Sequence, residues 1–313
     1  MEQNAMKYRL VTRSDFDGLV CGMLLKELDL IDDITFVHPK DMQDGLIAID
    51  EHDITTNLPY VDGVHLAFDH HYSETIRVGK KDNHIIDPDA KSAARVVFDY
   101  YGGNEQFYNI APDMLDAVDR GDSAEFSRDE VLDPQGWEML NFIMDARTGL
   151  GRFRNFRISN YQLMMELIDF CRNHSIEEIL ETPDVKERVE LYRDHQESFR
   201  HQITECSRLD GKVLIVDLRG QDTIFAGNRF VKYALFPEAG VSIQVVWGFK
   251  KQNTVFTVGK SIFNSYCSIN IGELMLSYGG GGHANAGTCQ VENEHGDQIL
   301  HELIHKIQNS CED

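Results

Sequence analysis

The order of apolar and polar positions along the chain changes character twice. Over its first third, short β-rich runs at 8–12, 34–37, 54–58 and 64–68 alternate with apolar-periodic stretches at 19–28 and 42–49 that read as helices. Such alternation is the signature of a mostly parallel sheet with helices on its faces. From residue 91 the period turns helical, over 92–101, 112–119, 135–145 and 161–173. A longer polar helix follows at 184–206, with Val185, Val189, Tyr192, Phe199, Ile203 and Cys206 at spacings of three, four and seven. It predicts an amphipathic connector packed against its neighbours. Strand-like runs return after Asp210-Gly211, at 212–218, 241–247 and 255–258. The pattern predicts an α/β protein: a parallel-sheet domain over 1–183, a helical connector over 184–207 and a smaller α/β domain over 208–313.

A length of 313 residues suits two domains of ~150. Charge narrows the function: 52 Asp and Glu against 30 Lys and Arg leave a formal charge of −22. That excludes a protein held on long nucleic acid by a broad basic surface, which needs many cations in one place. A small phosphorylated substrate is still admissible, because bound metal ions supply positive charge locally. The amino terminus has no apolar core of signal-peptide length, and no apolar run approaches the ~18 residues of a membrane span. The six cysteines, Cys21, Cys171, Cys206, Cys267, Cys289 and Cys311, are scattered with no C-x-x-C pair. They predict reduced, buried thiols in a cytoplasmic protein, and no cysteine zinc site.

Candidate chemistry gathers in a few segments. Ser14-Asp15-Phe16-Asp17-Gly18 lies where the first strand gives way to the first helix, the edge at which open parallel sheets bind ligands. Two carboxylates one residue apart can enter one crevice there; the plainer reading is helix capping. Phe68-Asp69-His70-His71 ends another strand, and Asp69 can orient a ligating histidine. Asp116, Asp119 and Asp122 follow in a helix whose plainer reading is a solvated acidic end. Ser277-Tyr278-Gly279-Gly280-Gly281-Gly282-His283 exposes backbone N–H groups that suit an anion, the alternative being a flexible loop.

In this order, Asp15-x-Asp17-Gly18, Asp69-His70-His71, Asp122 and Gly280-Gly281-Gly282-His283-x-x-Ala286-Gly287 resemble the motifs of the DHH phosphoesterase superfamily. The plan resembles its two-domain members, with a DHH domain joined by a helix to a DHH-associated carboxyl-terminal domain. The resemblance runs over nearly the whole chain. It points to the oligoribonuclease (nanoRNase) and linear-dinucleotide phosphodiesterase group, with exopolyphosphatase-like proteins and RecJ-type exonucleases as relatives. It implies two divalent cations, usually Mn2+ with Mg2+ as the alternative, at the carboxyl end of the first sheet. By position, Asp15 ligates one, while Asp17, His70 and Asp122 ligate the other, with Asp119 competing for the last place. His71 faces the phosphate. In the second domain, Gly280, Gly281, Gly282 and His283 grip a terminal phosphate or sugar. Lys260-Ser261 stands where the family has an Arg-Ser phosphate pair, without arginine's bidentate fork. Arg147, Arg152, Arg154 and Arg157, interleaved with Phe153 and Phe156, resemble a base-stacking and phosphate patch; the plainer reading is a loop before a helix.

Two positions depart from the family pattern. Val11 stands where many nanoRNase-like members have a histidine, which RecJ-like members also lack. Asn57, within Thr55-Thr56-Asn57-Leu58-Pro59-Tyr60, stands where the family places an aspartate that bridges both metals. Asp53 does not replace it, because four extended residues set the two ~13 Å apart. An Asn oxygen can coordinate one metal but brings no charge. Asn57 marks either a naturally weakened centre or a residue introduced to trap substrate. The resemblance implies a two-metal phosphodiesterase that converts linear dinucleotides such as pGpG or pApA, and very short RNA, to mononucleotides. The alternatives are an exopolyphosphatase or pyrophosphatase-like phosphohydrolase, and a nucleotide-binding sensor that does not hydrolyse. Neither long nucleic acid nor a membrane is expected as a partner, and a homodimer is left open.

Overall fold

In the computed structural model, which describes residues 6–153, 155–264 and 267–311, β1 (Tyr8–Arg13) buries Leu10, Val11 and Thr12 completely. Burial of successive residues on both faces is what a central parallel strand requires. Its sheet contains β2 (Ile31–Val37), β3 (Asp53–Thr56), β4 (Leu66–Asp69) and β5 (His84–Ile86), all parallel, in the order β2-β1-β3-β4-β5. Strand order reverses between β1 and β3, so a crevice opens at their carboxyl ends. The helix Phe16–Glu27 leaves that edge with Leu19, Val20, Met23, Leu24 and Leu25 all inaccessible to solvent. A helix apolar all round belongs inside the protein. Gly18 is required at its start, because a Cβ there would lie 2.0 Å from the Arg13 carbonyl oxygen.

The predicted helix at 42–49 is instead Pro39–Gln43. Pro39 opens it and His38 Nδ1 accepts from Lys40 N–H, while Gly45, at φ 69°, turns the chain out of it. The helix Pro183–Glu205 buries Val185, Val189, Tyr192, Phe199 and Ile203 along the expected stripe. The chain separates into two compact units inside this helix, between Leu191 and Tyr192, and the segment Ser127–Asp133 groups with the second unit.

The second unit holds a mixed sheet in the order β10-β11-β9-β8-β7-β6. Its strands are β6 (Ser207–Asp210), β7 (Val213–Asp217), β8 (Val241–Trp247), β9 (Thr254–Lys260), β10 (Gly281–His283) and β11 (Ala286–Val291). Only β7 and β8 pair in parallel. Val213, Ile215, Ile243, Phe256 and Val258 form its core with Leu300, Leu303, Ile304 and Ile307 of the helix Gly296–Ser310. Along that helix, apolar residues recur at helical spacing. The expectation of six reduced cysteines is corrected: Cys267 and Cys311 form a disulfide, their Cα atoms 4.7 Å apart. The helix Gly296–Ser310 returns Cys311 to Cys267 across 44 residues, a separation that no local spacing reveals. Among the described residues, no helix is long and apolar enough to cross a membrane.

Candidate metal centre at the edge of the parallel sheet

The carboxyl ends of β1, β3 and β4 and the segments that follow them place Asp15, Asp17, Asn57, Asp69, His70 and His71 at one edge of the first sheet. Asp15 caps its own helix, its Oδ1 accepting from Gly18 N–H at 3.0 Å. Asp17 is buried and caps a different helix, Ala93–Tyr100, by accepting from Ala93 N–H (3.0 Å) and Ala94 N–H (2.7 Å). Capping and site geometry are therefore not rivals here, since a carboxylate oxygen has lone pairs left after a backbone bond.

His70 Nδ1 lies 3.2 Å from the Ala90 carbonyl oxygen. A carbonyl only accepts, so Nδ1 carries the proton and Nε2 turns its lone pair towards Asp17 and Asp122. Nε2 is 2.9 Å from Asp122 Oδ2, close enough for an ion pair when the ring is protonated. One ligand atom each from Asp17, His70 and Asp122 lies within 4.8 Å of the others. Two carboxylates and an imidazole repel one another unless positive charge, a proton on the ring or a metal ion, lies between them. The field shows it: burial and then the Asp122 charge push the Asp17 carboxyl up to about 7. Burial opposes charge on His70, but Asp122 and Asp17 outweigh it and raise the imidazole to about 9. Carboxylate oxygens with one imidazole suit a divalent cation such as Mn2+ or Mg2+, and the residues present fit one.

The helix Pro112–Ser123 offers both Asp119 and Asp122, and their surroundings differ. Asp119 accepts from Ser92 Oγ (2.6 Å) and from Arg95 Nε and Nη2 (2.9 and 2.6 Å). Those bonds turn it away from His70, whereas Asp122 faces it. Asp69 Oδ1 accepts from His70 N–H (2.9 Å) and from His71 Nδ1 (2.6 Å), which fixes His71 with Nε2 on the opposite side of its ring. Asn57 is buried, its Nδ2 is 3.4 Å from Asp15 Oδ1, and its Oδ1 is buried without a hydrogen-bond partner. Asp53 lies at the other end of β3, paired with Arg9 at 2.7 Å. Arg13, which the motif reading passed over, forms an ion pair with Asp15, Nε to Oδ2 at 2.9 Å. Its signal was its place at the end of β1, two residues before the first motif carboxylate.

The glycine motif takes another form than the expected loop. Residues 281–283 are an edge strand, paired with β11 through Gly282↔Gly287 and His283↔Ala286. No helix follows to present N–H groups. Gly282, at φ 155°, has room for no side chain: a Cβ would lie 2.3 Å from the Ala286 carbonyl oxygen. Ala286 pairs in turn with Gly259, and Lys260 N–H donates to the Asn285 carbonyl at 2.8 Å. Lys260 and His283 thus lie at one end of the second sheet. Ser261 Oγ accepts from Phe263 N–H and Asn264 N–H, holding the turn after β9.

Among the described residues, the arginine-aromatic run does not form one platform. Arg147 Nε donates to Asp145 (2.7 Å), Arg157 N–H donates to Glu187 (3.0 Å), and the Phe156 ring lies under Arg188 at 4.2 Å. Arg152 folds over Gly149, and Arg154 lies outside the described residues.

No protein-family model matches the chain, and no curated protein does. Among solved structures it is similar to the pGpG-specific phosphodiesterase PggH from Vibrio cholerae, with 59% sequence identity and a TM-score of 0.84, over 97% of this chain and all of that one. It shares its fold with RecJ from Thermus thermophilus, solved in complex with Mn2+, at 13% identity and a TM-score of 0.55, over 97% of this chain and 52% of that one. Full-length identity at the first level, joined to the edge geometry above, is a family relationship: the chain belongs to the DHH phosphoesterase superfamily, as an enzyme of its phosphodiesterase branch.

Proposed function

We propose that the protein hydrolyses linear dinucleotides, pGpG foremost, to mononucleotides, and acts on very short RNA such as pApA in the same way. The full-length likeness to a pGpG-specific enzyme carries this reading. The first unit is the catalytic one. Asp17, His70 and Asp122 hold a divalent cation, Mn2+ or Mg2+, while Asp15 and Asn57 face the adjoining position. When bound, such cations supply an activated water and charge stabilisation for in-line displacement at phosphorus. The Ala90 carbonyl keeps the proton on His70 Nδ1, so that Nε2 is the ligand atom. Asp69 holds His71 in the tautomer that presents Nε2 to a phosphate oxygen. In the second unit, Lys260, Ser261, the Gly280-Gly281-Gly282 backbone and His283 bind substrate phosphate or sugar.

Hydrolysis of pGpG adds one water and yields two GMP. The test incubates the protein and its Asn57→Asp form with Mn2+ and, separately, pGpG, pApA, longer oligoribonucleotides to the hexamer, and polyphosphate. Two GMP per pGpG, falling rates with length and intact polyphosphate are expected. The Asn57→Asp form should be the faster, because it adds a charge between two cation positions. Shortened polyphosphate beside intact pGpG would overturn the proposal.

A further inference from the structure

Asp15 and the Asp17–His70–Asp122 cluster are held by different neighbours. In the cluster, an imidazole and two carboxylates face one another. Around Asp15 the neighbours are donors: Arg13 on Oδ2, with Gly18 N–H and Asn57 Nδ2 on Oδ1. At Asp15 the chain supplies a permanent cation, the Arg13 guanidinium.

A guanidinium and a divalent cation on one carboxylate repel each other. Asn57 adds no negative charge to offset that repulsion. A metal entering at Asp15 therefore competes with the Arg13 guanidinium. The Arg13 side chain is 32% exposed and ends β1, so its head can leave Asp15 without opening the core. The planar fork that it then presents matches two oxygens of a phosphate.

We propose that Arg13 is a resident cation that competes with a divalent metal for Asp15 and, once displaced, binds the substrate's phosphate. Occupancy of the Asp15 side is thereby coupled to substrate: the phosphate supplies the anion that Arg13 loses. The inference rests on the metal assignment made under Proposed function.

Calorimetric titration with Mn2+ alone, on the full chain, gives a readout that needs no turnover. Arg13→Gln should tighten the weaker Mn2+ binding step about tenfold or more, as expected for removing a unit charge a few ångströms from a dication. In steady-state kinetics it should raise KM for pGpG. Arg13→Lys keeps the charge, so its Mn2+ affinity should stay near that of the unmodified protein while KM still rises. Unchanged or weaker Mn2+ binding in Arg13→Gln, with an unchanged melting temperature, overturns the proposal: Arg13 then only braces Asp15. Asp15→Asn separates the two readings. If it weakens a Mn2+ step while Arg13→Gln alters none, only the Arg13 proposal falls. If Asp15→Asn alters none, the assignment of Asp15 to a metal falls, and the Arg13 proposal with it.

Discussion

Two glycine-bearing motifs stand at sheet edges in this molecule, and their glycines answer to different neighbours. Gly18 lets the helix Phe16–Glu27 start hard against the Arg13 carbonyl, which brings Asp15 and Asp17 to the crevice between β1 and β3. The side chains beside that glycine carry the chemistry. At Gly280 and Gly282 the glycines instead let strand meet strand, with the Thr288 and Ala286 carbonyl oxygens where Cβ atoms would be. A side-chain motif names its chemistry by the groups that it contains. A glycine motif names only an absence, which a ligand or the chain's own backbone can fill.

The largest expected effect breaks the first region alone. His70→Ala, made in the Asn57→Asp form, should remove a ligand atom and lower turnover on pGpG and on a small chromogenic phosphodiester by more than about a hundredfold. His283→Ala should leave Mn2+ affinity intact and affect pGpG far more than the chromogenic ester. Equal losses on both substrates would show that β10 is not a substrate-binding element.

Gly282→Ala tests the glycine hairpin as structure. Forcing a Cβ onto the Ala286 carbonyl at a positive φ should cost about 2–3 kcal/mol in urea unfolding of the second unit, with Mn2+ affinity unchanged. Unaltered stability would mean that backbone approach does not account for that glycine.

The smallest effect concerns pH behind the first edge. Glu74 is buried and accepts from Arg77 Nε (2.8 Å) and Tyr60 N–H (2.9 Å). Burial alone would raise its pKa, but the Arg77 and Tyr60 bonds hold it below the ordinary 4.5. A carboxyl depressed in the folded state stabilises above its unfolded pKa and loses that contribution as pH falls through the lowered value. Glu74→Gln should cost about 1–2 kcal/mol at pH 7. The gap should narrow as pH falls below 4.5, whereas the Gly282→Ala deficit should not follow that titration. A pH-independent Glu74→Gln deficit would refute the ion-pair account.

Much of the parallel-sheet edge was legible because its alternating pattern and its polar residues reinforce one another. Asp122 and Asp119 were not separable, since both lie near the end of one helix. Arg95 and Ser92, distant in sequence, draw Asp119 aside. Val11 stands where many nanoRNase-like members have a histidine. In the structure it is fully buried against Met42 and Leu58, a packing position within the strand. The hairpin at 281–291 stayed hidden because its glycines carry no alternation, and the disulfide because its partners are brought together only by a whole helix.

Asn57 sits at φ 54°, in the left-handed region that glycine, asparagine and aspartate enter most readily. Few other residues are tolerated by the backbone at that point, and the two polar ones differ by a single nucleotide in their codons. A lineage can therefore exchange amide for carboxylate there in one mutational step, with no refolding to accompany it.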